Sequence, residues 1–141
     1  MTEIRPADGD EDAARTRILA LLDDHSKAKG QSFRSETVAF EAYEETLYLG
    51  GLVARFSPDL KWVFVELLAV GQEGRGKGIG GHLMARLEDE ARARGMDGIW
   101  LDTFSFQAPE FYRRLGYTEF GRIEGYPDHE ARHFFMKRLR D

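Results

Sequence analysis

Between Gly71 and Gly81 the chain reads Gly-Gln-Glu-Gly-Arg-Gly-Lys-Gly-Ile-Gly-Gly, a stretch that holds six of the protein's fifteen glycines. The apolar run Trp62 to Val70, interrupted only by Glu66, leads into it. Ile79, Leu83, Met84, Leu87 and Ala91 follow at helical spacing up to Gly95. Glycine is costly in a folded chain unless the backbone needs a positive φ or something must come close to it. Here it accumulates where a buried strand hands over to a helix start, which offers unpaired N–H groups and the positive end of a dipole. The segment reads as a phosphate-binding turn.

The flanking sequence supplies the rest of an α/β unit. Asp8 to Asp12 bring acids to a helix N-terminus, and Ile18, Leu19, Leu21 and Leu22 form the apolar face of that first helix, after a short extended start at Thr2 to Arg5. Thr37 to Tyr43 and Thr46 to Phe56 are rich in β-branched and aromatic residues and read as an antiparallel hairpin. Trp62 to Val70 then reads as a strand buried on both faces. Ile99 to Phe104 predicts a further strand, Pro109 opens a short helix that stops at Gly116, and Tyr117 to Ile123 and Ala131 to Leu139 predict two closing strands. No repeat, linker or low-complexity segment divides the 141 residues. The expectation is one domain over residues 1–141, a mixed and mostly antiparallel α/β sheet flanked by helices.

Composition narrows the chemistry. With no cysteine the chain has no disulfide, catalytic thiol or thiolate metal site. A net charge of −5 argues against a general nucleic-acid binder and suits a cationic or amine substrate. No segment approaches the roughly eighteen apolar residues of a membrane span, and Met1 to Asp12 lack a signal peptide's apolar core, so a cytoplasmic protein is expected. His129 and His133 have metal-like spacing but no third ligand close by, and no metal is expected.

Three phosphate motifs compete for the glycine segment. Gly71 with Gly76-Lys77 has nucleoside-triphosphate spacing, but Gly78 stands where a magnesium-binding hydroxyl belongs. Gly76, Gly78 and Gly81 satisfy G-x-G-x-x-G, with Asp102 downstream as in a dinucleotide fold. Only 39 residues follow Asp102, however, and they end in an antiparallel pair. The third pattern, R/Q-x-x-G-x-G/A, is met by Arg75, Gly78 and Gly80. With Leu68-Ala69-Val70 before it, and Ala108, Phe111-Tyr112 and Gly116-Tyr117 after it in order, the sequence resembles the GNAT superfamily of acyl-CoA-dependent N-acyltransferases.

That resemblance implies a fold in which the strands ending at Val70 and near Phe104 splay apart and hold the pantetheine arm of acetyl-CoA. The pyrophosphate would lie on the N–H groups of Arg75, Gly76, Lys77, Gly78, Ile79, Gly80 and Gly81. Where many members have an asparagine this sequence has Ser105, so Ser105 or Gln107 takes over its cofactor contact. Acetyl transfer needs a neutral amine, oxyanion stabilisation and a proton for the departing thiolate. The resemblance implies oxyanion donors in the N–H groups of Leu68, Ala69 and Val70. It also implies a general acid in Tyr112, whose phenol is protonated at neutral pH. Glu66, a lone carboxylate in an apolar strand on the face of Phe64 and Leu68, is the candidate base, with burial raising its pKa. The implied function is acetylation of a primary amine, with small molecules as the expected substrates, by direct attack in a ternary complex. A CoA-binding module without turnover and a protein lysine or N-terminal acetyltransferase are the alternatives. Such folds also form homodimers through their final strands.

Overall fold

Helix α1 (Glu11–Lys27) carries Glu11 and Asp12 in its first turn and His25 and Lys27 in its last, the charge order its dipole favours. In this computed structural model, which describes residues 1–30, 32 and 34–140, α1 belongs to a unit formed by Met1–Arg34. The apolar face expected of it is exposed: Ile18, Leu19, Leu21 and Leu22 range from 45% to 71% accessible. Thr2 to Arg5 belong to no strand.

The second unit, Ser35–Asp141, holds six strands and two helices. They are β1 (Glu36–Glu44), β2 (Leu47–Ser57), β3 (Trp62–Val70), α2 (Ile79–Ala93), β4 (Gly98–Phe104), α3 (Pro109–Arg114), β5 (Thr118–Tyr126) and β6 (Glu130–Arg138). The strands form one sheet in the order β1-β2-β3-β4-β6-β5. Every neighbouring pair is antiparallel except β3 and β4, between which α2 makes the crossover that parallel strands require. The mixed, mostly antiparallel architecture expected from sequence is the one observed. Among the described residues no helix is long and apolar enough to cross a membrane.

Alternation along the strands aims one set of side chains at the helices. Leu52, Ala54 and Phe56 of β2, Val63 and Val65 of β3, Ile99 and Leu101 of β4 and Phe135 of β6 meet Leu83, Met84, Leu87 and Ala91 of α2 and Tyr112 of α3 in one core. Burying each such side chain stabilises the fold by about 1.5–3 kcal/mol before entropy is subtracted. Beside it, the buried Glu88 accepts hydrogen bonds from the Tyr117 hydroxyl at 3.0 Å and Lys137 Nζ at 3.0 Å, so its charge is paired where water is excluded.

The sheet divides at its parallel joint. β3 and β4 pair only through Trp62–Gly98, Val63–Ile99 and Phe64–Trp100, and the rings of the last pair lie 4.3 Å apart, tilted by 32°. Past that point β3 stays with β2 as far as Val70, while β4 stays with β6 as far as Phe104. A bulge contributes: Val53 and Ala54 of β2 face Leu67 and Val65, leaving Glu66 as the extra residue of β3. Bulges bend a strand and re-aim the residues beyond them. The splay implied by the resemblance is therefore present, and it corrects the expectation of a strand buried on both faces. Val63 and Val65 are buried, but Glu66 and Leu67 are exposed because the neighbouring strand has turned away.

Candidate active site

Residues 71–81 run from the end of β3 into α2 through a short 3-10 turn, Gln72–Gly74. Gly78 is the N-cap of α2 at φ 73°, a left-handed conformation in which a side chain is strained, and no side chain caps the helix. His82 N–H donates to Gly78 C=O at 3.0 Å, the first bond of the helix. Among the described residues, the N–H groups of Gly76, Gly78, Ile79, Gly80 and Gly81 have no acceptor. A side chain at Gly76 or Gly81 would meet nothing within 4 Å, so an anion can approach the backbone there. Gly80 serves packing instead: a Cβ would lie 3.2 Å from Phe111 Cζ, which presses the helix start against α3. Ile79 packs against the core. Arg75 is exposed, and Lys77 reaches both oxygens of Glu44, at 3.1 and 3.2 Å.

Phe111 precedes Tyr112, so the glycine turn and this tyrosine share one packing contact. Pro109 starts α3, and Gly116 ends it at φ 92°, with Gly116 N–H donating to Arg113 C=O and Tyr117 N–H to Tyr112 C=O, each at 3.0 Å. These bonds fix Tyr112 over the opening between β3 and β4. There it lines a cavity of about 160 Å³ with Glu66, Leu68, Asp102, Thr103 and Gln107. Its side chain packs against Phe135 and is 7% exposed, and its hydroxyl has no hydrogen-bond partner among the described residues. Burial, with the Asp102 carboxylate adding to it, pushes its pKa up to about 12. The Tyr112 phenol is thus protonated at the cleft across the whole neutral range. A larger hollow of about 410 Å³ lies beside β1 to β3, lined by Tyr48, Gly51 and Leu67. It lacks this convergence of polar groups on an opened strand edge.

The edge of β3 that faces the cleft has no strand partner beyond Phe64, and Leu68, Ala69 and Val70 lie on it. Glu66 lines the same cleft, but the burial expected of it is absent. Its side chain is 43% exposed and lies 3.5 Å from Arg55 Nε, because the bulge brings it to the surface. The bulge also breaks the alternation: Leu68 packs on the core side, away from Phe64. Gln107 turns inward, its Oε1 accepting from Phe104 N–H at 2.9 Å and from the Thr103 hydroxyl at 3.3 Å, and it stays at the cleft.

Ser105 lines a different cavity, one beside the turn between β5 and β6. Its hydroxyl lies 2.8 Å from His133 Nε2 and accepts from Ala131 N–H at 3.1 Å, while His133 Nδ1 meets Glu119. Burial pushes the Glu119 carboxyl up, but hydrogen bonds from His133 and Arg122 outweigh it and hold the pKa low. This chain of serine, imidazole and carboxylate spans β4, β6 and β5. From sequence His133 reads only as a strand-face residue, since nothing local places Ser105 and Glu119 beside it.

The model of the Acetyltransferase (GNAT) family matches residues 7–117. The chain belongs to the GNAT acetyltransferase family. Among relatives of this GNAT chain, the Blasticidin-S acetyltransferase of Streptomyces morookaense is 41% identical over 91 residues, 64% of this chain and 65% of that protein. The match thus spans just under two thirds of that relative. An acetyltransferase from Bacillus cereus ATCC 14579 is 30% identical, with a TM-score of 0.76 over 98% of this chain and 96% of that one. Nourseothricin acetyltransferase is 29% identical, with a TM-score of 0.64 over 73% and 65%.

Proposed function

We propose that this GNAT chain transfers an acetyl group from acetyl-CoA to a primary amine of a small molecule, by direct attack within a ternary complex. The observation that carries the reading is a protonated, unbonded phenol, Tyr112, held at the point where β3 loses its neighbour. Two relatives named for small-molecule acceptors support the acceptor class.

The residues present fit acetyl-CoA. The free N–H groups of Gly76, Gly78, Ile79, Gly80 and Gly81 suit its pyrophosphate, whereas that of Lys77 is spent on Gly74 C=O at 3.4 Å. The opened edge at Leu68, Ala69 and Val70 suits an extended pantetheine arm and provides N–H donors for a developing oxyanion. Gln107 presents its amide to the same cleft, whereas Ser105 is occupied by His133 and Ala131. Acetyl-CoA supplies the activated acyl group and leaves as a thiol. Glu66, solvated at the cleft mouth, takes the proton of the incoming ammonium through water; after attack the nitrogen gives its second proton to water, while Tyr112 donates the proton that sulfur needs and is reprotonated from solvent.

The test measures thiol release from acetyl-CoA across a panel of small primary amines. At least one acceptor is expected to turn over, and Tyr112→Phe should lower kcat by about a hundred-fold or more while leaving CoA affinity within about two-fold. Unchanged turnover in Tyr112→Phe removes Tyr112 from the chemistry. Thermal stabilisation by CoA with no acceptor found would favour a CoA-binding module.

A further inference from the structure

The end of the sheet beyond the cleft carries a further cavity. It measures about 380 Å³ and is lined by Phe104, Phe106, Tyr126, Pro127, Asp128 and Glu130. Three rings face one another in it: Phe104 and Phe106 stack 5.5 Å apart, and Tyr126 meets Phe104 edge-on at 4.9 Å. The charges beside them are acidic and uncompensated. Asp128 and Glu130 have no cationic partner among the described residues, whereas the nearby Arg132 is already engaged by Asp102 at 2.9 Å and by Tyr126. Glu130 Oε2 is shut off from solvent and has no hydrogen-bond partner. A buried carboxylate oxygen left alone is costly, and native folds keep such a group when something else satisfies it.

A bound cation resolves both features. Aromatic faces attract an organic ammonium through their quadrupole, most strongly where water is excluded, and a carboxylate at the wall supplies the counter-charge. The Phe104 ring already takes a cation on one side, since the Arg132 guanidinium carbon lies 5.6 Å from its centroid. The cavity also neighbours the cleft along β4: Asp102 lines the cleft, and Phe104, two residues on, shares its face of the strand and lines the cavity.

We propose that Phe104, Phe106, Tyr126 and Glu130 form a cation-binding subsite for the acceptor, which selects amines carrying a second, positively charged nitrogen. The inference rests on the acetyl-transfer reading above, and its test has an arm independent of turnover.

The first arm compares pairs of acceptors over a series of alkyl spacers, one of each pair ending in a trimethylammonium group and the other in its neutral tert-butyl isostere. The cationic acceptor should show a kcat/KM about ten-fold higher or more, and Glu130→Gln should bring the two within about two-fold of each other. Equal use of the isostere by the native protein, or a preference that survives Glu130→Gln, overturns the proposal. The second arm titrates tetramethylammonium against the protein by NMR. Saturable binding weakened about ten-fold or more in Glu130→Gln and in Phe104→Leu supports the subsite even if no amine is acetylated, in which case only the transfer reading fails. Absent binding, or binding equal in all three proteins, overturns it whatever the turnover. Glu130→Gln should also leave the thermal midpoint of the free protein no lower than native. A marked loss would mean that Glu130 is structural and count against the subsite.

Discussion

Tyr112 sits in a core rather than beside one, and its acidity is a consequence of that. In the unfolded chain a phenol titrates near 10, whereas here it titrates at about 12. Between those values the unfolded chain releases a proton that the folded chain keeps, so stability falls as pH rises, by up to about 1.4 kcal/mol per pH unit. Below about pH 10 the contribution is fully present. Urea unfolding at about pH 9.5 and about pH 11.5 should therefore show a smaller loss for Tyr112→Phe than for the native protein. An equal loss in both would show that the phenol is not buried as described. Glu66 is the contrasting case. A lone carboxylate in an apolar run reads as buried, but the bulge at this position sends it outward to Arg55. Burial of a single residue depends on pairing register, which a linear pattern does not encode.

At the scale of elements the joint between β3 and β4 carries the cleft, and Gly98 is its pivot. A Cβ on Gly98 would stand 2.5 Å from the Trp62 ring and 2.9 Å from the Lys137 carbonyl oxygen. Gly98→Ala should cost about 2 kcal/mol, within the range for overpacking. Combining it with Trp62→Ala should cost less than the two single changes added together, because one of the clashing groups is gone. Additive losses measured by denaturant unfolding would place the strain elsewhere. The elements themselves are legible in the sequence wherever their signals are local: Trp62 to Val70 matches β3 at both ends, Pro109 opens α3, and the glycine run ends on α2. The hidden part is tertiary. The order β4-β6-β5 brings Ser105, His133 and Glu119 together and closes the Phe104, Tyr126 and Glu130 cavity, and each contact joins residues far apart in the chain. Phe104, Phe106 and Tyr126 stand out in sequence as aromatics, but the unpartnered oxygen of Glu130 has no sequence signature at all.

For the whole molecule, a net charge of −5 favours encounter with a cationic acceptor. Arg113 and Arg122 are engaged by Glu119, while Asp128 and Glu130 beside the aromatic cavity have no cationic partner among the described residues. On the subsite proposed above, these two acids would attract a cationic acceptor over distances comparable to the Debye length, about 10 Å at 0.1 M salt and about 3 Å at 1 M. Raising salt across about that range should lower kcat/KM several-fold for a cationic amine by slowing encounter, while kcat at saturation holds. For a neutral isostere the same titration should leave kcat/KM nearly flat, since no charge is being steered. A parallel decline for both acceptors would mean that salt acts on acetyl-CoA binding or on the fold, and that the acidic end does not guide the amine.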